Sequence, residues 1–168
     1  SNYFMVLEKI GSNAASQFTS GRLNPGFSKK VEALQLNGFI KVKGFELFGT
    51  FESIQGRSKT EIAERNATQF ALDGVYRFGK EENLFVGARY NTVSIRLANV
   101  AAAGTNPAIT FTDDVNIDRV ALGAGWFLTK NVMLKAEYVK QQYKDFPIAD
   151  FRNAGEFNGY VVQAVVGF

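Results

Sequence analysis

The sequence predicts an all-β fold: an antiparallel, transmembrane up-and-down β-barrel with about eight strands in this chain of 168 residues. Three observations predict it. The chain ends on an alternating segment, with Tyr160, Val162, Ala164, Val166 and Phe168 on one face and Gly159, Gln163 and Gly167 on the other. An apolar strand at a chain end is unusual for a water-soluble domain, whose termini are typically polar and frayed. Period-two runs recur along the whole chain, and the connections between them alternate between tight and long.

Eight runs are expected, at 2–10, 32–43, 45–55, 68–78, 84–94, 116–128, 132–143 and 157–168. Their lengths cluster near the ~9–11 residues that a tilted strand needs to cross a bilayer. The first is ambiguous, because Tyr3, Met5 and Leu7 share one face while Phe4, Val6 and Ile10 share the other. The second sets Leu34, Leu36, Ile40 and Val42 against Gln35, Asn37 and Lys41, and the third sets Phe45, Leu47 and Phe51 against Glu46, Thr50 and Glu52. In the fourth, Phe70, Leu72, Tyr76 and Phe78 oppose Gln69, Asp73 and Arg77. In the fifth, Leu84, Val86, Ala88 and Tyr90 oppose Arg89 and Asn91. The sixth has Val120, Leu122, Ala124, Trp126 and Leu128 on one face and Arg119, Ala121, Gly123 and Gly125 on the other. The seventh sets Val132, Leu134, Ala136 and Tyr138 against Lys135 and Glu137.

The connections at 43–44, 79–83 and 129–131 are tight, whereas those at 11–31, 56–67, 95–115 and 144–156 are long and polar. In an up-and-down sheet alternate connections lie at opposite ends, so all tight turns share one rim and all long loops the other. Aromatic residues also fall at two levels: Phe45, Phe78, Trp126 and Phe168 beside the tight turns, and Phe51, Phe70, Tyr90, Tyr138 and Tyr160 nearer the loops. Two girdles suit the two interfaces of a bilayer. A soluble barrel also alternates, with its apolar face inward, so alternation by itself leaves the direction open.

Composition agrees. Aromatic residues make up 14% of the chain and there are 16 Gly but only 3 Pro, with no apolar run long enough for a membrane helix. There is no cysteine, which excludes disulfides and thiolate metal sites. The net charge of +3 is small and scattered, so a nucleic-acid face is not expected. The chain opens at Ser1 without a basic and apolar leader, which fits either a removed signal peptide or a piece of a longer protein. One domain, 1–168, is expected.

The terminal strand resembles that of the bacterial outer-membrane β-barrel family. The resemblance implies an outer-membrane location and an assembly signal in Tyr160, Val162, Ala164, Val166 and Phe168, read by the barrel-assembly machinery. Further phrases are Ser1-Asn2-Tyr3-Phe4-Met5-Val6-Leu7-Glu8-Lys9, Phe45-Glu46-Leu47-Phe48-Gly49, Tyr76-Arg77-Phe78-Gly79-Lys80-Glu81-Glu82 and Val86-Gly87-Ala88-Arg89-Tyr90-Asn91. With these, the chain resembles the C-terminal part of larger porin-like outer-membrane proteins of Bacteroidetes. That implies passive diffusion of small solutes and further strands upstream. The alternative is a closed small barrel with a structural or surface-binding role through its loops.

The lumen-lining candidates are Lys41, Arg77, Arg89, Arg119 and Lys135 with Glu46, Glu52, Asp73 and Glu137. They either neutralise one another inside a filled barrel or line a conducting wall. Expected partners are outer-membrane lipid and lipopolysaccharide; the loop cations Arg22, Lys29, Lys30, Arg57, Lys59 and Arg65 could meet its phosphates, although solvated loop charge is the more ordinary reading. A homo-oligomer or larger membrane complex is open. No catalytic, cofactor or metal residues are expected. The chain has no histidine to act as a base at neutral pH. Asp113-Asp114 reads as a solvated loop tip, and Gly123-Ala124-Gly125 as room for neighbouring lumen side chains rather than a dinucleotide loop. Asn66-Ala67-Thr68 is a chance glycosylation match.

Overall fold

In a computed structural model, which describes residues 23–167, seven strands form one antiparallel sheet in sequence order. They are β1 (Lys30–Val42), β2 (Phe45–Arg57), β3 (Arg65–Phe78), β4 (Leu84–Ile95), β5 (Val115–Thr129), β6 (Val132–Lys144) and β7 (Glu156–Val166). The expected first run, 2–10, and Phe168 lie outside the described residues. Each strand pairs only with its sequence neighbours, so β1 and β7 are the two edges of the described sheet.

Short and long connections alternate as expected. Lys43 and Gly44 join β1 to β2, both with positive φ (44° and 79°). That pair of signs is what a two-residue hairpin turn requires, because it matches the twist of the flanking strands. A 3-10 turn, Lys80–Glu82, joins β3 to β4, and residues 130–131 join β5 to β6 after a register shift between Phe127 and Thr129. The strands run further toward the loops than their alternation does. β3 starts at Arg65 because its backbone continues to pair with Gly56 beyond the apolar stretch.

The long loops are not merely polar. Residues 96–114 fold into a small hairpin, with Val100 bridged to Ile109 and Ala103 to Asn106, and the Phe111 N–H donates to Asn99 Oδ1 at 2.8 Å. Phe111 from this loop and Phe146 from the next turn in over the concave face. There they bury with Ala67, Ile95, Val115 and Tyr143, and with Leu23, Ile54, Val93, Leu97, Ile109 and Ile117 packed around them. The expectation of purely polar loops is corrected accordingly: their apolar residues have a concave sheet to cover.

Away from this cluster the sheet is inverted relative to a soluble sandwich. On strands paired on both sides, Leu72, Tyr76, Leu122 and Trp126 face outward and are 38–51% exposed, whereas the edge strand β1 is exposed on both faces, Leu36 and Phe39 alike. The concave positions Ala71, Ala121 and Val139 are buried instead.

The register places this apolar face as a band. Its last residue before the loops is Leu34, Phe51, Phe70, Tyr90, Val120, Tyr138 and Tyr160 on β1 to β7; the next outward residues are Glu32, Ser53, Thr68, Thr92, Asp118, Lys140 and Asn158. Tyr160 lies on the hydrogen-bonded row that runs through Tyr138, Leu122, Ala88, Gly74 and Leu47 to Ile40. Ile40 is six residues beyond Leu34, so over six strand steps the boundary slips one residue per step. The edge near the tight turns, through Val42, Phe45, Phe78, Leu84, Leu128, Val132 and Val166, moves the same way but by four residues over the six steps, since the row from Val42 reaches β7 at Val162. At the loop-side edge a slip of ~3.3 Å for every ~4.8 Å of sheet makes the boundary level if the strands lean by about 35°, and the smaller slip of the other edge corresponds to ~25°. Barrel strands tilt by ~35–45°.

At or beside the centre of the band, every strand carries a small outward residue: Gly38, Gly49, Gly74, Ala88, Ala124, Ala136 and Ala164. The sheet does not require these glycines. A Cβ at Gly38 would touch nothing, and those at Gly49 and Gly74 would make ordinary contacts of 3.7 and 3.8 Å with Leu72 and Leu47.

Candidate functional site

The concave wall collects the charges. Because Lys43-Gly44 closes a two-residue turn, Lys41 falls opposite Glu46, and their side chains pair at 2.9 Å. Arg77 reaches the same carboxylate from β3 at 3.1 Å, so Glu46 sits between two cations. Asp73 and Arg89 are register partners across β3 and β4 and pair at 3.1 Å. Lys135 and Glu137, two residues apart on one face of β6, pair at 2.6 Å. Seven of the nine lumen-lining candidates are therefore engaged with one another. The Lys41 and Arg89 side chains remain about half exposed (52% and 54%), so these pairs are hydrated and each contributes little to stability.

Glycine makes room beneath an aromatic on this wall. The Phe85 ring lies over Gly125, where a Cβ would come within 2.2 Å of two ring atoms. Phe85 also packs against Phe127 at 6.0 Å and carries the Arg77 guanidinium over its face at 5.7 Å.

Glu52 and Arg119 are the two candidates without an ion pair among the described residues. Both line a cavity of ≈350 Å³ between the concave sheet and the loop cluster, together with Gln69, Asn91, Gln141 and Arg152. Glu52, Gln69, Asn91 and Arg119 are the first inward positions above Phe51, Phe70, Tyr90 and Val120, so they share one level across β2 to β5. Ile54, Val93 and Ile117 follow them toward the loops and form the cavity's apolar side. The three amides carry no signal in the linear sequence. Strand pairing brings them beside the two charges, Gln69 opposite Glu52 and both Asn91 and Gln141 opposite Arg119.

Side chains near the loop rim hold this roof. Arg65 is buried and makes a two-point contact with Glu61 (2.5 and 3.1 Å), while donating to the carbonyls of Arg96 (2.7 Å) and Pro25 (2.9 Å). It also stacks over the Phe27 ring at 5.0 Å. The Arg65 guanidinium holds the Glu61 carboxyl down to about 2. Arg65 is thus an internal clamp, which corrects its reading as a loop cation for lipopolysaccharide. Its burial leaves no guanidinium N–H for an outside phosphate. Lys30 is engaged with Glu32 and Glu64, each at 2.9 Å, and Arg57 donates to the Glu61 carbonyl at 3.1 Å. Lys29 and Lys59 remain exposed, and Arg22 lies outside the described residues. In the last loop, burial pushes the Asp150 carboxyl up, but the Arg152 guanidinium at 2.8 Å and the Arg152 N–H outweigh it and hold the acid low.

The loop carboxylates Asp113 and Asp114 are not brought together. Asp113 accepts from Thr112 Oγ1 at 2.9 Å, and Asp114 pairs with Arg96 at 3.2 Å. Of the terminal face, Tyr160 and Val162 project outward from β7 and are about four-fifths exposed (79% and 80%), with Ala164 and Val166 below them and the Tyr138 ring 5.0 Å from that of Tyr160, tilted by 41°. No protein-family model matches the chain, and no curated protein matches it in sequence.

Proposed function

We propose that this chain is the wall of an outer-membrane β-barrel that lets small polar solutes diffuse passively across the membrane. The observation that carries the reading is the apolar outward band, whose two edges both slip toward the tight turns from β1 to β7, by six and four residues over six strand steps. A bilayer needs a hydrocarbon-facing band of constant height around tilted strands, with charge kept to the other face. The band spans four or five outward positions per strand, about 16–22 Å of height between end Cα atoms at a ~35° tilt. Side chains at both ends extend it toward the ~25 Å of known barrels. Aromatic rings at its upper edge, from Phe51 to Tyr160, match an interfacial girdle.

Hydrated ion pairs on the concave face are compatible with a water-lined path, and the likeness to porin-like proteins of Bacteroidetes favours one. The closed-barrel alternative draws on a different observation: the apolar cluster that Phe111 and Phe146 build across the loop end of the concave wall. Planar-bilayer recording of the full-length protein from its native membrane separates the two. Solute passage gives stable open channels, and Arg119→Glu moves their selectivity toward cations. Absence of conductance from correctly folded protein refutes it and leaves the closed barrel.

A further inference from the structure

The lumen-lining candidates sort into seven in ion-pair contact with one another and two, Glu52 and Arg119, that are not, and these two share a cavity. We propose that the ≈350 Å³ cavity binds peptides of two or three residues with apolar side chains, the peptide ammonium at Glu52 and its carboxylate at Arg119. The proposal takes the concave face to be the lumen and in that respect rests on the solute-passage reading.

The order of groups across the wall carries the inference. From β2 to β5, one level presents an acid, two amides and a base: Glu52, Gln69, Asn91 and Arg119. A short peptide laid across the strands presents the complement, an ammonium, one or two peptide groups and a carboxylate. Three strand steps and a two-residue register offset separate the end charges, ~16 Å along the sheet and less across its curve, and both side chains reach inward. A single amino acid would leave the two amides between them idle. Buried or half-buried amides favour ligands that satisfy both their donors and their acceptors.

Arg119 suits a carboxylate, which its planar fork grips at two points, while Glu52 repels a second negative charge and so disfavours phosphates. On the loop side Ile54, Val93 and Ile117 offer an apolar surface to the peptide's side chains. The volume falls at the lower end of the ~300–1,000 Å³ usual for small-molecule sites, which admits a di- or tripeptide and excludes an oligosaccharide chain.

The test is calorimetric titration of the full-length protein in detergent with Ala-Phe, N-acetyl-Ala-Phe and Ala-Phe amide. The free dipeptide is expected to bind at least tenfold tighter than either capped form, the usual worth of one charge-assisted contact. Arg119→Gln should abolish the preference for a free carboxylate over the amide and keep that for a free ammonium. Glu52→Gln should do the reverse. Heat-modifiable mobility on gels verifies that each variant is folded, and the wild-type ligand series needs no variant at all. Equal affinity for the three ligands, no binding at millimolar concentration, or preferences unchanged in both variants overturns the proposal. Channels that conduct without peptide binding refute only this site. Peptide binding without conductance refutes only passage through the barrel.

Discussion

Val42 and Ala124 lie on one hydrogen-bonded row, through Phe45, Tyr76 and Val86, yet the slipping band puts them at different heights. Four strand steps at one residue each, with ~3.3 Å rise and a ~35° lean, lower Val42 by about 11 Å relative to Ala124. Ala124 is then at mid-band and Val42 at its lower edge. An arginine on the lipid face costs ~2–4 kcal/mol at the bilayer midplane and ~0–1 kcal/mol near an interface. Ala124→Arg should therefore destabilise the folded protein by about 1–4 kcal/mol more than Val42→Arg, a difference of roughly fivefold or more in the folded-to-unfolded ratio. Gln35→Arg, on the concave face of β1, should stay within about 0.5 kcal/mol of wild type. The assay is urea-dependent folding into lipid vesicles, followed by tryptophan emission and gel mobility. Equal costs at Val42 and Ala124 would refute the tilted, level band, and a larger cost at Gln35 than at Ala124 would show that the apolar face does not meet hydrocarbon.

Glycines with opposite surroundings should respond with opposite signs in the same assay. Gly74→Ala, whose new methyl meets only Leu47 at 3.8 Å, should stabilise by ~0.4–1 kcal/mol, whereas Gly125→Ala displaces the Phe85 ring and should cost ~1–3 kcal/mol. Lys43→Asn supplies the residue that tolerates positive φ before Gly44 and should raise the urea midpoint, and a lowered midpoint would argue against the two-residue turn. Glu61 is held below its unfolded value, so its contribution is complete above pH 4.5 and lost as pH falls through about 2. Screened at a part-exposed site, the Glu61–Arg65 contact should contribute roughly 1–3 kcal/mol to the loop at 58–64. Amide exchange in that loop should accelerate across this window in wild type but not in Glu61→Gln. Nitroxides at positions 34, 36 and 40 should be relaxed by membrane-dissolved oxygen and those at 35, 37 and 41 should not; the reverse pattern would mean an inward apolar core.

Much of the wall was legible in the chain. Alternation located the seven described strands and which residues share a face, because each residue's side is fixed by parity once the run is found. Which face points outward came from the exposure of the paired strands. The pairs Lys41–Glu46 and Asp73–Arg89 follow from tight turns, since a turn centred at 43–44 or 81 fixes which residues face each other. Arg65 was misread because a cation beside a polar loop looks solvated until its partners, Glu61, Arg96 and Pro25, are placed around it. The common level of Glu52 and Arg119 was hidden for a related reason. Three connections, two of them long loops, separate them, so their relative height depends on registers that no local pattern encodes. Phe111 and Phe146 read as loop residues and are buried because the loops fold back, a long-range choice.

The one-residue slip also sets the size of any closed ring. A strand leaning by ~35° takes up about 6 Å of circumference, since the ~4.8 Å spacing is measured perpendicular to it. The seven described strands therefore account for roughly 41 Å of perimeter. Closure after one more strand gives a backbone diameter near 15 Å, in which facing side chains meet across the axis. Sixteen strands at the same lean give about 30 Å and a water-filled bore. With the lean fixed by the register, the width of the hole depends on a single integer, the number of strands around it.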